Sequence, residues 1–253
     1  MDNSKIYGQD NFNLPHDVVP LPSQGKFYPS GKKSLKVGYL TASDENLLMS
    51  QNLKEVNTLI TSLLRSKIYE PDISPEQLLE GDAEAILVFL RNTAFGSQYK
   101  IKTTDPKTKQ VFDVEINLDE LNFKKLEKEP DSNGHYTIKL PKSGNEVKVK
   151  LLTLGDQINL RKIRDSYPQG MVAPVVTKRL EMNIVAIDGV DDRNEISRFV
   201  SNLPIADSKF LRQELEELEP RLDLKQRILA PSGEEVHVNV AFGAEFFRPF
   251  FWI

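Results

Sequence analysis

At 253 residues, with 39% hydrophobic and 28% charged side chains, the chain can bury a sizeable core, and two domains of about 100 residues suit it. A net charge of −4 and a pI near 5.6 set it apart from the strongly basic domains that bind nucleic acid. The absence of cysteine excludes disulfides, thiolate nucleophiles and cysteine-ligated zinc. No apolar run approaches the roughly 20 residues that cross a bilayer, and Met1-Asp2-Asn3-Ser4-Lys5 lacks the basic-then-apolar order of a signal peptide, so synthesis in the cytoplasm is expected.

Residues 1–27 read as an extended N-terminal arm. Leu14-Pro15 and Leu21-Pro22-Ser23-Gln24-Gly25 favour extended or turn geometry, because proline disfavours helix in the residue before it. Such an arm lies either on its own domain or along a neighbouring protein. Residues 33–41 alternate polar and apolar as a half-buried strand does. Thr41 or Ser43 then caps a helix, with Asp44 and Glu45 at the positive end of its dipole. Leu48, Leu53, Val56, Leu59, Ile60, Leu63 and Leu64 form one apolar stripe, which carries this helix to about Tyr69. A second helix is expected from Pro75 to about Arg91, turning Leu78, Leu79, Ala85, Ile86, Phe89 and Leu90 inward. Strands follow at 99–102 and 111–116 around an Asp105-Pro106-Lys107-Thr108 turn. Residues 117–134 are a charged connection ending in Pro130-Asp131-Ser132-Asn133-Gly134.

The order then repeats. A strand pair over 136–152 turns at Ser143-Gly144-Asn145, helices are expected at about 155–166, 172–187, 192–202 and 207–218, and a hairpin at 226–241 turns at Pro231-Ser232-Gly233. Leu40-Thr41-Ala42-Ser43-Asp44 recurs as Leu152-Thr153-Leu154-Gly155-Asp156, and Leu35, Val37 and Tyr39 answer to Val147, Val149 and Leu151 at the same offset. With drift, Leu90-Arg91 answers to Leu211-Arg212, and Pro106 with Val111 to Pro231 with Val236. The expected class is therefore α+β with antiparallel strands, built as two related lobes from an internal duplication. The lobes would run 28–134 and 135–245, followed by an aromatic tail at 246–253.

Catalytic and ligand motifs are scarce. Gly25…Gly31-Lys32-Lys33 fails as a phosphate loop: the glycine spacing is one too long, Lys33 stands where a hydroxyl should hold magnesium, and no strand precedes it. His16, His135 and His237 have no metal-pair spacing. Glu214, Glu216, Glu217 and Glu219, flanked by Arg212 and Arg221, read as a solvated acidic face that could also steer a basic partner. No serine sits in a G-x-S-x-G elbow. An enzyme assembled from dispersed acids near the cleft between the lobes stays as an alternative. The positive signal is the end of the chain, where Phe246-Phe247-Arg248-Pro249-Phe250-Phe251-Trp252-Ile253 holds five aromatics in eight residues. A segment this apolar must dock, either on its own core or on another subunit.

Three ordered segments, Leu21-Pro22-Ser23-Gln24-Gly25-Lys26-Phe27-Tyr28-Pro29, Leu40-Thr41-Ala42-Ser43-Asp44-Glu45 and Phe246-Phe247-Arg248-Pro249, give the chain a resemblance to the T4-type phage baseplate protein family, the small hub-associated proteins of contractile tails. The resemblance covers nearly the whole chain. It implies a non-enzymatic structural or assembly protein in the virion tail, made in the host cytoplasm. Its partners would be other baseplate or hub proteins, with no cofactor, nucleic acid, membrane span or small-molecule substrate. Partner-binding candidates are Leu21, Pro22, Phe27 and Tyr28, and Phe246, Phe247, Arg248, Pro249, Phe250, Phe251 and Trp252. Some look-alikes carry paired cysteines in the two hairpins. Here those turns read Thr103-Thr104-Asp105-Pro106-Lys107-Thr108 and Ala230-Pro231-Ser232-Gly233, so packing and turn chemistry must hold them. The alternatives are an assembly chaperone absent from the mature virion and a general protein-binding adaptor.

Overall fold

The computed structural model describes residues 15–49, 56–124, 126–168, 170–242 and 244–247. It is a mixed α+β fold of helices and short antiparallel sheets. Strand β1 (His16–Pro20) pairs with β2 (Ser34–Gly38), placing Val19 against Leu35. The portion of the expected arm from His16 onward is therefore tied into a sheet of its own chain, while residues 1–14 lie outside the described residues. Helices α1 (Ala42–Met49) and α2 (Val56–Lys67) follow. The single helix expected to reach Tyr69 is described in these two pieces, and residues 50–55 lie outside the described residues.

Pro75 does not open the next α-helix. It opens a 3₁₀ turn, Pro75–Gln77, and α3 runs Glu80–Phe95. Leu78 and Leu79 between them are extended because they belong to a tertiary pairing: Leu79 bridges Thr153, and the Leu154 amide donates to the Leu78 carbonyl at 2.7 Å. Most of α3 is buried, from Gly81 through Leu90 and Arg91, which makes it the central helix of the first core. Strands β3 (Gln98–Thr104) and β4 (Val111–Asn117) form the first hairpin.

The second half opens with β5 (His135–Lys139) and β6 (Glu146–Lys150), whose Tyr136, Ile138, Val147 and Val149 are buried on one face at the two-residue period of a strand. Helix α4 (Leu154–Ser166) carries a capping box, in which Thr153 Oγ1 accepts from the Asp156 amide and Asp156 Oδ2 accepts from the Thr153 amide, both at 3.2 Å. The expected helix over 172–187 is shorter. Helix α5 is Val175–Asn183, and Ile184–Ile187 forms β7, the third strand of the β5-β6-β7 sheet. The run Ile184-Val185-Ala186-Ile187 is rich in β-branched residues, and the open edge of β6 completes its hydrogen bonds. Helices α6 (Arg193–Ser201) and α7 (Ile205–Leu218) and the hairpin β8 (Lys225–Leu229)–β9 (Glu235–Asn239) complete the order.

Two cores form, and they cut across chain order. The first gathers β1, β2, α2, α3 and the first hairpin, and also Leu222, Leu224, Val238, Val240, Phe246 and Phe247. The second is built from β5 to α7, with Leu79 and Phe27 contributed from the first half. The last hairpin thus packs on the first core rather than on the second, whose elements precede it in sequence. A carboxylate joins the tips of the two hairpins. Asp105, 1% exposed, accepts from the amides of Lys107 at 2.8 Å, Thr108 at 3.0 Å and Ser232 at 3.0 Å, and from the Ser232 hydroxyl at 2.9 Å. Burial acts to raise this carboxyl, but the hydrogen bonds outweigh it and hold it down at about 2. This clasp is the turn chemistry that a cysteine-free pair of hairpins requires.

Candidate functional site

The segment Leu21–Pro29 does not lie free on the surface; it runs along the seam between the two cores. Leu21 is 1% and Tyr28 9% exposed, both in the first core, and Pro22 is buried. Phe27 packs on the second core, with its ring 6.2 Å from that of Tyr136. Asp82 on α3 accepts from the Ser23 amide at 2.9 Å and from the Tyr28 hydroxyl, which in turn accepts from the Leu79 amide at 3.0 Å. Burial, then the Asp82 charge, pushes the Tyr28 phenol upward, and burial raises Asp82 against its hydrogen bonds. The hydroxyl and carboxylate thus form a buried hydrogen-bonded pair that acts as a fixed polar rivet.

The seam continues into a charge cluster. Glu80 and Glu84 stand one helical turn apart on α3, on one face. Gly81 between them lets residues 220–221 approach: a Cβ there would sit 2.0 Å from the Pro220 carbonyl oxygen. Arg221 is thereby set against the acidic face and pairs with Glu219. Gln157 on α4 donates to Glu80 at 3.3 Å and accepts from Arg179 of α5 at 2.8 Å, so the cluster spans both cores. Glu80, Gln157, Arg179, Glu219 and Arg221 line a cleft of about 290 Å³ whose apolar walls include Leu151, Leu152 and Leu215. Burial, then the neighbouring Glu80 charge, pushes the Glu84 carboxyl up to about 8, against the pull of Arg221. Glu219 is also raised, by burial first, while Arg221 and Arg179 oppose the rise. Glu84 Oε2 and Arg221 Nε are buried without a hydrogen-bond partner among the described residues.

A cleft with shifted carboxylates is what an enzyme of dispersed residues would need. The acids here engage with nearby polar groups: Glu80 with Gln157, Glu219 with Arg221, and Glu84 with the nearby charge of Arg221. Among the described residues no group of three His, Asp or Glu could hold a metal ion, and no helix is long and apolar enough to cross a membrane. His16, His135 and His237 fall on separate strands. The acidic end of α7 is met by lysines, with Glu214 on Lys128 at 2.6 Å, Glu217 on Lys124 at 3.1 Å and Glu216 on Lys225 at 3.8 Å. These exposed pairs contribute little each, but two of them fasten the charged connection to α7.

Phe246 and Phe247 are buried in the first core at 0% and 3% exposure. The Phe246 ring stands 4.8 Å from Phe242 and 5.4 Å from Tyr99. Beneath it the buried Arg91 guanidinium lies 5.7 Å from the Phe246 centroid and 5.1 Å from that of Tyr99, and donates to the Gly96 and Gln98 carbonyls. For these two phenylalanines the alternative of docking on the chain's own core is the one realised here. Arg248, Pro249, Phe250, Phe251 and Trp252 lie outside the described residues. Sequence reasoning missed the cluster of Glu80, Glu84, Glu219 and Arg221. Its one local signal was the Glu80–Glu84 spacing, because Glu219 and Arg221 arrive from across the chain.

The family model described as T4 bacteriophage base plate protein matches residues 24–248. Neither the curated proteins nor the solved structures give a match to the chain.

Proposed function

Because the chain belongs to the T4 bacteriophage base plate protein family, we propose that it is a non-enzymatic structural or assembly protein of the hub region, acting by protein–protein binding. The observation that carries this reading is the extent of the family match: residues 24–248 take in the second core, the hairpin clasp and all of the first core except β1 and Leu21. The family is one of phage baseplate structural proteins, so other baseplate proteins are its natural partners and the tail of the virion its natural place. Each buried polar cluster of the seam is spent on holding the two cores in one orientation, as a rigid scaffold requires.

An internal duplication fits this reading. Both halves of the chain run strand pair, helices, hairpin, with β1 lying before residue 28 in the first half and β7 added among the helices of the second. In both halves the aspartate accepts from the threonine amide, Asp44 from Thr41 and Asp156 from Thr153, though the Thr41 hydroxyl donates to Asp44 while that of Thr153 accepts from the Asp156 amide; a lysine reaches the aspartate in each half, Lys67 to Asp44 at 2.5 Å and Lys150 to Asp156 at 3.0 Å. In that reading residues 28–134 and 135–245 are the two copies, and the last hairpin is given across to the first core.

Quantitative mass spectrometry of purified particles beside infected-cell lysates tests the proposal. A fixed ratio to known tail subunits makes the protein a virion component. Abundance in the lysate with absence from the particle makes it an assembly chaperone. Absence from both contexts overturns the reading in favour of a general adaptor. Deleting residues 249–253 examines the tail separately: loss of co-purification with an unchanged Tm places Phe250, Phe251 and Trp252 on a partner, and a large drop in Tm places them in the chain's own core.

A further inference from the structure

Residues 167–177, Tyr-Pro-Gln-Gly-Met-Val-Ala-Pro-Val-Val-Thr, carry no charge, in a chain whose side chains are 28% charged. Residues 167–174 join α4 to α5 and 175–177 open α5; the stretch projects at Tyr167, Met171, Val172 and Val176, and Gln169 lies outside the described residues. Val172 is 93% exposed, Met171 66%, Val176 48% and Tyr167 39%, so one short stretch supplies four of the exposed large hydrophobics among the described residues. The loop is held in shape. Met171 donates its amide to the Pro168 carbonyl at 3.0 Å, Val175 donates to Ala173 at 2.8 Å, and the Thr177 hydroxyl donates to Pro174 at 3.0 Å. A preformed apolar projection presents its side chains with little ordering left to do on binding.

The flanking helices give the projection a charge. From 161 to 181 the chain has five cations, Arg161, Lys162, Arg164, Lys178 and Arg179, against two anions, Asp165 and Glu181, while the whole protein is at −4. Arg164 pairs with Asp165 and Lys178 with Glu181. With Arg179 engaged at the seam through Gln157, the four cations Arg161, Lys162, Arg164 and Lys178 still outnumber Asp165 and Glu181 beside the loop, on a net negative molecule.

We infer that the 167–177 loop is a docking knob for another tail protein, one that offers an apolar recess rimmed by carboxylates. Met171 and Val172 fill the recess, and Lys162 and Arg164 meet the rim. A convex apolar tip calls for a concave partner, the positive surround calls for acids, and exposed apolar residues gathered in one stretch and rimmed by polar ones mark a binding surface where scattered ones do not. This inference rests on the reading of the protein as a baseplate component that works by binding.

The test mixes the full-length chain with each of the other tail proteins of its phage in turn and measures affinity and Tm. Val172→Asp and the double variant Lys162→Glu/Arg164→Glu are compared with the unaltered chain. The expected result is one tail protein that binds the unaltered chain, about tenfold or more weaker binding by either variant, weakening with added salt, and an unchanged Tm. Binding that survives both variants sinks the knob and leaves the baseplate reading standing. Failure of every tail protein to bind the unaltered chain removes both. Loop-dependent self-association in sedimentation velocity, or loop-dependent binding to phosphatidylglycerol vesicles, would replace the acidic protein partner by a second copy or a lipid surface and overturns the inference.

Discussion

Glu84 is the residue whose surroundings conflict most with its chemistry. Its carboxyl titrates near 8 in the fold against an ordinary 4.5, because burial and Glu80 disfavour its charge more than Arg221 favours it. The folded state therefore holds a proton that the unfolded chain has released, and between these two values stability falls as pH rises. Urea unfolding measured from pH 5 to pH 9 should show this decline, and Glu84→Gln should flatten it. An equally steep profile in that variant would show that Glu84 is not its source. Gly81 makes the second residue-scale case. Replacing glycine by alanine in a helix ordinarily gains up to about 1 kcal/mol. Here the added carbon would lie 2.0 Å from the Pro220 oxygen, so Gly81→Ala should lower the unfolding free energy. A gain would show that residues 220–221 stand further away.

Among the elements, the two hairpins depend on one side chain. Asp105 organises its own turn and holds Ser232 of the other, and no covalent or metal link shares the task among the described residues. Asp105→Ala should lower Tm and speed hydrogen exchange at the amides of Lys107, Thr108 and Ser232 while leaving the second core protected. Exchange that accelerates only at Lys107 and Thr108 would mean that the second hairpin is held by packing. Because the Asp105 carboxyl is depressed, its contribution is present above pH 4 and is lost as pH falls toward about 2. The α4 cap is a smaller effect: Thr153→Val should cost about 1 kcal/mol in denaturant unfolding, the ordinary worth of an N-cap.

For the whole molecule, the way the last hairpin and Phe246 close onto the first core makes the C-terminal part of the chain integral to the N-terminal part. Truncating a fully buried aromatic costs about 3–5 kcal/mol, and Phe246 also covers the Arg91 guanidinium. Phe246→Ala should therefore destabilise the molecule by that amount and raise exchange in both the β8–β9 hairpin and α3. Two separable unfolding transitions, with only the second core unaffected, would show that the seam is weaker than its polar contacts suggest. This closure brings segments from both ends of the chain into the first core. Sequence similarity follows chain order, whereas packing follows proximity.

The sequence by itself determined the α+β class, the start of the first helix near Thr41, both hairpins with their turns, and the strands whose alternation marks a buried face. Those features depend on residues a few positions apart, so side-chain period and turn chemistry suffice to specify them. The three ordered segments were also enough to point to the baseplate family. Tertiary structure decided the rest. Leu78 and Leu79 left the helix to pair with Thr153 and Leu154, and Ile184–Ile187 became a strand because β6 had an open edge. Leu21, Tyr28, Phe246 and Phe247 were buried by surfaces remote in sequence, and Glu80, Glu84, Glu219 and Arg221 met across the seam. A shifted carboxylate or a buried aromatic reports the neighbours around it, and those neighbours exist only once the chain has folded.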